Sequence, residues 1–462
     1  MGGFWCEFWQ EKQEAATYEL TDCVNYGNIT GLGYVGGIAG RINTATNGVA
    51  GNSFLFRNVV NHGTVTGTTT PTYVGGLFGE INTGSDGAGG NTVEFQNAVN
   101  NGTVSGTEKV GGLIGGYTAK LGSLLLTGSA NHGAVNASAS DSGALLGYAR
   151  PNGGSITVER SLNTGSLSGG GNNKAGVIGS SNHDGDYTLT VKAFLNTGSI
   201  TSGSRAAAVT GWLDSAITVE DSISLGSLSG NGDCGGILAF AQDGSVVKNC
   251  LSAASVSTTT GSAGILVGGS AEKATFSGNY YKKADSANTT GGETELAGWS
   301  DVVAVLNEKY SSTWGRFLLN TDGTGAVLAT PKLAGVQDGK ATGDTFSVRF
   351  IATLQDTLRY ERVGFRITVN GGAETEISCK HVYLKLLANE AGGQVEVSAS
   401  ALGGSYLYAL TVDGIPATGT VTFTVVPFAV DQAGTENAQT YIGQGYTVTY
   451  TNGVFTSATP IA

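Results

Sequence analysis

With 75 glycines but only 6 prolines and 13% charged residues in 462, the chain is neither collagen-like nor disordered. Its 24 Lys and Arg against 36 Asp and Glu leave a net charge of −12, which excludes a nucleic-acid partner held by phosphate neutralisation. What remains is a glycine-rich, β-prone chain long enough for several domains or for one extended repeat array.

The first residues, Met1–Gln10, show no basic segment followed by an apolar run, so no secretory signal is visible. No stretch reaches the roughly 18 unbroken apolar residues of a membrane helix, so no membrane insertion is expected. The pairs Phe4/Phe8 and Trp5/Trp9 sit four apart and predict one or two amphipathic helical turns, with residues 1–20 serving as an N-terminal cap.

From residue 21 onward one phrase recurs. It reads Val-Asn-Tyr-Gly at 24–27, Val-Asn-His-Gly at 60–63, Val-Asn-Asn-Gly at 99–102, Ala-Asn-His-Gly at 130–133, Leu-Asn-Thr-Gly at 162–165 and again at 195–198, then decays around Ser224 and Ser252. The reference positions 25, 61, 100, 131, 163, 196, 224 and 252 are 28 to 39 residues apart. A second phrase follows each copy by 11 to 14 residues, as Val35-Gly-Gly-Ile-Ala-Gly40, Val74-Gly-Gly-Leu-Phe-Gly79 and Val110-Gly-Gly-Leu-Ile-Gly115, loosening to Ser262-Ala-Gly-Ile-Leu-Val267. An alternating apolar and polar run, such as Ser155–Glu159, precedes each copy. Three short strands per unit, too small to bury a face alone, predict stacking.

The expected fold class is therefore all-β: a right-handed parallel β-helix, or β-solenoid, of eight to nine coils over 21–281. Val24, Val60, Val99, Ala130, Leu162, Leu195, Ile223 and Leu251 are expected to form one internal ladder, and Ile29, Val65, Val104, Val135, Leu167, Ile200, Leu228 and Val256 another. Asn25, Asn61, Asn100, Asn131, Asn163 and Asn196 are expected to stack as a structural amide ladder at a corner. The glycine two places later is expected to supply a positive φ, and the Gly-Gly pair a tight bend or close backbone approach.

The Val-Gly-Gly-Leu/Ile-x-Gly phrases resemble the GLUG motif, a repeat of bacterial surface and secreted proteins, over roughly 21–281. The resemblance implies an extracellular or bacterial cell-surface setting and an adhesin-like role. Some proteins with this repeat are zinc metallopeptidases that need His-Glu-x-x-His. The four histidines, His62, His132, His183 and His381, form no such segment.

Residues 282–330, with a short helix over Ser300–Asn307 capped by Ser300 or Asp301, are expected to form a C-terminal cap or linker. Residues 331–462 hold seven alternating runs: Phe346–Ile351, Val363–Val369, Glu376–Tyr383, Val395–Ser400, Tyr406–Val412, Val421–Val430 and Tyr446–Thr451. A hairpin-type turn at Asn370-Gly371 completes the pattern. They predict a small immunoglobulin-like β-sandwich. The region also resembles modules at the C-termini of secreted proteins of Gram-positive gut bacteria.

No catalytic, metal-binding or cofactor-binding residue is assigned. The five cysteines are scattered, without CxxC spacing, and are expected to be small buried thiols. The pairs Asp184/Asp186 and Glu220/Asp221 recur in no coil-to-coil acidic ladder, and His183-Asp-Gly-Asp186 reads as a solvated turn. His62 and His132 stand two coils apart, about 10 Å, too far to share a metal. An ice-binding Thr-x-Thr ladder begins at Thr64, Thr66 and Thr103 but is not sustained at Ala134, Ser166 and Ser199.

The candidate ligand-binding residues lie in two matching inserts, Arg41–Asn52 and Glu80–Asn91. They are Arg41, Asn43, Asn47, Asn52, Glu80, Asn82, Asp86 and Asn91, because loops at one corner of a solenoid project to one side. The expected function is a non-catalytic adhesin-like scaffold that binds a glycan or a host or cell-surface protein. The alternative is a polysaccharide-active β-helix lyase or hydrolase.

Overall fold

The computed structural model describes residues 2–3, 5–9, 14–44, 50–68, 73–84, 89–139, 141–183, 185–282, 287–289, 292–314, 317–320, 323–328, 331–338, 343–354, 360–379, 382–384, 394–396, 406–431 and 440–461. It divides into two compact units, 1–302 and 303–462.

The first unit is a parallel β-solenoid of about eight coils. The second coil shows the plan. A first wall is made by Ser53–Arg57 and Val60–Asn61, a second by Val65–Gly67, a third by Tyr73–Gly75 and a fourth by Phe78–Asn82. Stacked through the unit, the four walls hold 17, 8, 8 and 9 strands among the described residues. Each coil thus has four walls rather than three strands. The Gly-Gly pair explains the difference: a Cβ on Gly75 would lie 1.9 Å from the carbonyl oxygen of Phe78, so only glycine lets the chain turn from the third wall into the fourth.

Register is kept from coil to coil. Asn61 pairs with Asn25 and Asn100, Val65 with Ile29 and Val104, and Gly75 with Gly36 and Gly111. The last copy aligns one residue later than the phrase suggests, with Ala263, not Ser262, beside Cys234.

Two separate cores run along the axis. The larger joins the first and fourth walls through Phe54, Phe56, Phe78, Phe95, Leu124, Leu126 and their successors. The smaller joins the second and third through Val35, Val65, Val74, Val104, Leu167 and Ile200. The second expected ladder, Ile29 to Val256, packs into or against this smaller core. The first does not behave as expected. Val60, Val99 and Leu195 are buried but belong to neither core, while Val59, Ala98 and Phe194, one residue earlier, fill the larger.

A left-handed residue in every coil causes this shift. Asp22, Asn58, Asn97, Gly128, Arg160, Ala193, Asp221, Asn249 and Gly278 all have φ between 46° and 65°, and each stands three places before a reference position or, for Gly278, before Tyr281, which pairs with Ser252. One such residue breaks the strand alternation and moves the next inward side chain by one. Seven of the nine are Asn, Asp or Gly, the types that tolerate this backbone; Arg160 and Ala193 are the exceptions. Arg160 is exposed. Arg160→Gly is expected to stabilise the unit by about 0.5–1 kcal/mol, since relief of left-handed strain outweighs the added entropy of the unfolded chain. A denaturant melt with an unchanged or lower midpoint would contradict this.

Between the cores lies a waist. Each ladder amide donates through Nδ2 to the Oδ1 of the next: Asn25 to Asn61 at 2.7 Å, Asn61 to Asn100 at 2.8 Å, Asn100 to Asn131 at 2.9 Å, Asn131 to Asn163 at 3.0 Å and Asn163 to Asn196 at 2.8 Å. The second Nδ2 hydrogen closes a turn onto the carbonyl two residues on, as from Asn100 to Gly102 at 2.8 Å. Across the waist the amides meet bare backbone: a Cβ on Gly37, Gly76 or Gly112 would lie 2.4–2.5 Å from Asn61, Asn100 or Asn131. The glycine after each ladder Asn does not take the expected positive φ. It is there for close approach, since a Cβ on Gly63, Gly102 or Gly133 would sit 2.0 Å from the carbonyl oxygen of the equivalent glycine one coil earlier.

The N-terminus differs from the expected helical turn. Trp5–Trp9 is a strand, parallel to Ala39–Asn43, with Phe8 opposite Ile42. Phe4 lies outside the described residues. A helix would leave the edge of the first coil unpaired, whereas a strand satisfies its backbone groups. At the other end, Thr294–Leu296 adds a further parallel strand beside Tyr280–Lys282. The expected 282–330 segment therefore divides between the two units. Its helix runs over Trp299–Val305, so Ser300 and Asp301 lie inside the first turn instead of capping it.

In the second unit two antiparallel sheets share one core. Phe350 and Tyr408 from one meet Phe365 and Phe423 from the other. Asn370 and Gly371, with φ of 50° and 72°, form the expected hairpin turn. The expected run Glu376–Tyr383 is split: Thr375–Ser378 and Val382–Leu384 belong to different sheets. Lys332–Asp338, irregular at Leu333/Gly335, and Val454–Pro460 are further strands.

Candidate functional site

The two inserts begin at the end of the fourth wall, where the chain turns back to the first. Arg41 and Glu80 hold equivalent positions and are paired to each other, Nε to Oε2 at 2.7 Å. Glu7 extends the pair at 3.6 Å from Arg41, whose guanidinium lies 4.5 Å over the Tyr34 ring. Glu80 is only 4% exposed; burial pushes its carboxyl pKa up, and Arg41 pulls it part of the way back.

The insert asparagines are framework. Asn43, Asn52, Asn82 and Asn91 are all buried. Asn52 donates its backbone N–H and its Nδ2 to Asn91 Oδ1 at 2.9 and 3.1 Å, and Asn91 Nδ2 reaches Thr83 O at 2.6 Å. Asn82 Oδ1 accepts from the backbone of Gly84 at 3.2 Å. These four side chains close the bases of the loops and are not presented outward. Asn47 and Asp86, at the tips, lie outside the described residues.

The second wall offers a different surface. Two outward positions per coil, one at or just before the first residue of the strand and one inside it, form two columns. The first runs Asn28, Thr64, Thr103, Ala134, Ser166, Ser199, Ser227, Ser255 and the second Thr30, Thr66, Ser105, Asn136, Ser168, Thr201, Ser229, Ser257. Every one is partly or fully exposed, while the residue between them is an aliphatic of the smaller core. Only Ala134 lacks a hydroxyl or amide, and none is charged. Neighbours along a column bond to one another, as Ser168 Oγ to Asn136 Oδ1 at 2.6 Å. A comparable column of the first wall instead runs Arg57, Gln96, Thr127, Glu159, Lys192, Glu220, Lys248. Sequence reading sought pure Thr-x-Thr here; the signal it passed over is the exclusion of charge.

The three described histidines are held locally, and His381 lies outside the described residues. His62 stacks on Tyr26 at 5.1 Å, and His132 Nδ1 stands 2.7 Å from Thr164 Oγ1. His183 is tied to the next coil. Its Nδ1 lies 2.8 Å from Asp214 Oδ1, and its backbone N–H donates to Asp214 Oδ2 at 2.8 Å. Asp184 lies outside the described residues, and Glu220 stands 3.7 Å from Lys248. Among the described residues no three His, Cys, Asp or Glu converge as a metal site. Cys234 and Cys250 are buried thiols, burial holding Cys250 at a pKa of about 12; Cys23 and Cys379 are half-buried instead of enclosed as expected.

No family model, no curated protein and no solved structure matches the chain.

Proposed function

We propose that this chain is an adhesin-like binding scaffold of the bacterial surface or extracellular space, and that its ligand is a neutral glycan. The observation that carries this reading is the charge-free wall of hydroxyl and amide side chains, repeated over eight coils of an otherwise acidic protein. Such groups exchange hydrogen bonds with sugar hydroxyls and offer no counter-charge to an ionic ligand. The GLUG-like phrases support the same setting. Glu80, Asp214 and Glu220 stand beside Arg41, His183 and Lys248, where each carboxylate has a basic partner, so a binding role is preferred to hydrolysis or elimination.

A glycan and host-protein array probed with the full chain tests the proposal. Retention on neutral glycans that persists as salt is raised is the expected result, since screening leaves uncharged contacts unaffected. Retention confined to acidic glycans and lost with salt, or confined to proteins, would refute it.

A further inference from the structure

The second wall differs from an ordinary sugar site in being a regular array of outward side chains on stacked parallel strands. Apart from Ala134, its contacts are uncharged hydroxyls and amides, individually weak and evenly spaced, about 4.8 Å from coil to coil and roughly 6.6 Å between the two columns. None of the pairings in this wall carries a bulge, so the spacing is maintained over all eight strands. That is about 34 Å from the first strand to the last.

An exposed hydroxyl contact contributes at most about 1 kcal/mol net, against an association cost several times larger. One or two sugars therefore cannot hold here. Many contacts can, provided the ligand repeats with the wall and its freedom has already been lost. A soluble oligosaccharide must be ordered sugar by sugar as it binds. Chains packed side by side in an insoluble fibre need no such ordering, and one coil spacing is close to the advance of one sugar in an extended chain. Charge argues the same way: with no ionic group in either column, the wall matches a neutral polymer face and attracts neither a polyanion nor a polycation.

From this, and resting on the neutral-glycan reading above, we infer that the second wall binds the ordered surface of an insoluble neutral polysaccharide in preference to single soluble chains. Adsorption grows with the number of coils engaged and is nearly independent of salt.

The test is a pelleting assay with the full chain on microcrystalline cellulose and on chitin, beside soluble hexasaccharides of each, a polygalacturonate gel and an ice-growth assay. Two lysines are placed two coils apart on the wall by Ser166→Lys with Ser227→Lys, both positions being exposed. A second pair, Thr201→Lys with Ser257→Lys, guards against one variant failing to fold. Thr157→Lys with Thr218→Lys puts the same charges at the same separation on the first wall. The inference expects unchanged melting in all three, wild-type retention for the first-wall variant and at least a tenfold loss for both second-wall variants on the insoluble polymer. Equal retention of a folded second-wall variant overturns it. Binding of hexasaccharides as tightly as of the solid overturns the inference while leaving the neutral-glycan reading in place. Binding only to polygalacturonate, to ice or to a second copy of the chain overturns both.

Discussion

Lys174→Met is expected to stabilise the solenoid by about 3 kcal/mol at neutral pH. Lys174 occupies the third-wall column that runs Val35, Val74, Val110, Ser142, Lys174, Ala206, Cys234 and Ala263, and is fully buried. Its ammonium donates to Gly171 O at 3.2 Å, and Ser142 beside it buries a hydroxyl without a hydrogen-bond partner among the described residues. Burial lowers the pKa from 10.5 to about 8, with Asp141 opposing the shift. Below about pH 8 both folded and unfolded chains carry the proton, so stability does not change with pH through this group. Between about 8 and 10.5 the unfolded chain holds the proton more tightly than the folded one, so wild-type stability rises with pH across that window. Methionine fills a similar volume, has no charge to desolvate and removes the rise. Chemical denaturation at pH 7 and pH 10 measures both effects. A methionine variant less stable than wild type at pH 7 would show that the ammonium is better satisfied than one carbonyl contact implies.

The largest loss is expected in the amide ladder. Asn100 accepts from Asn61, donates to Asn131 and closes its own turn on Gly102. Asn100→Ala removes all three contacts at a fully buried position and should cost about 3 kcal/mol. Asn100→Asp keeps the shape but sets an acceptor against the acceptors Asn131 Oδ1 and Gly102 O. Its cost should be larger, about 4 kcal/mol at neutral pH. The new carboxyl has a raised pKa in the folded state, so part of that loss returns as pH falls and the protonated oxygen donates. Thermal melts of both variants at pH 7, and of the aspartate variant at pH 4, check the order. An aspartate variant as stable as wild type would show that the ladder does not depend on donor direction.

The coil was legible in the sequence because the waist tolerates so few residue types: the Asn needs its amide, and the facing and following glycines have no room for a Cβ. The fourth wall was hidden by the same glycines, since one short phrase holds two strands and the corner between them. The left-handed residues were visible in principle as Asn, Asp or Gly three places before each reference position. Arg160 and Ala193 blurred them, and with them the register of Val60 and its equivalents was lost. At the insert corner the burial of Asn43, Asn52, Asn82 and Asn91 is not legible from composition. Asn52 and Asn91 are amides with a backbone to satisfy, and nothing local separates that role from ligand contact. Lys174 is legible only when the column is aligned, where it is the one charged residue among small and aliphatic ones.

The amide chain also has a direction. Every Nδ2 from Asn25 to Asn163 points toward the following coil and every Oδ1 from Asn61 to Asn196 toward the preceding one. Each coil between the first and the last ladder Asn thus presents the same socket below and the same plug above, whatever its number of residues. Excision of residues 62–100 would bring Asn61 against Asn131, a donor facing an acceptor as before, with the glycines rejoined in the same register. Length is therefore a free variable in this molecule. Coils can be lost or duplicated whole, and a binding wall shortened or extended one rung at a time, without inventing a new joint.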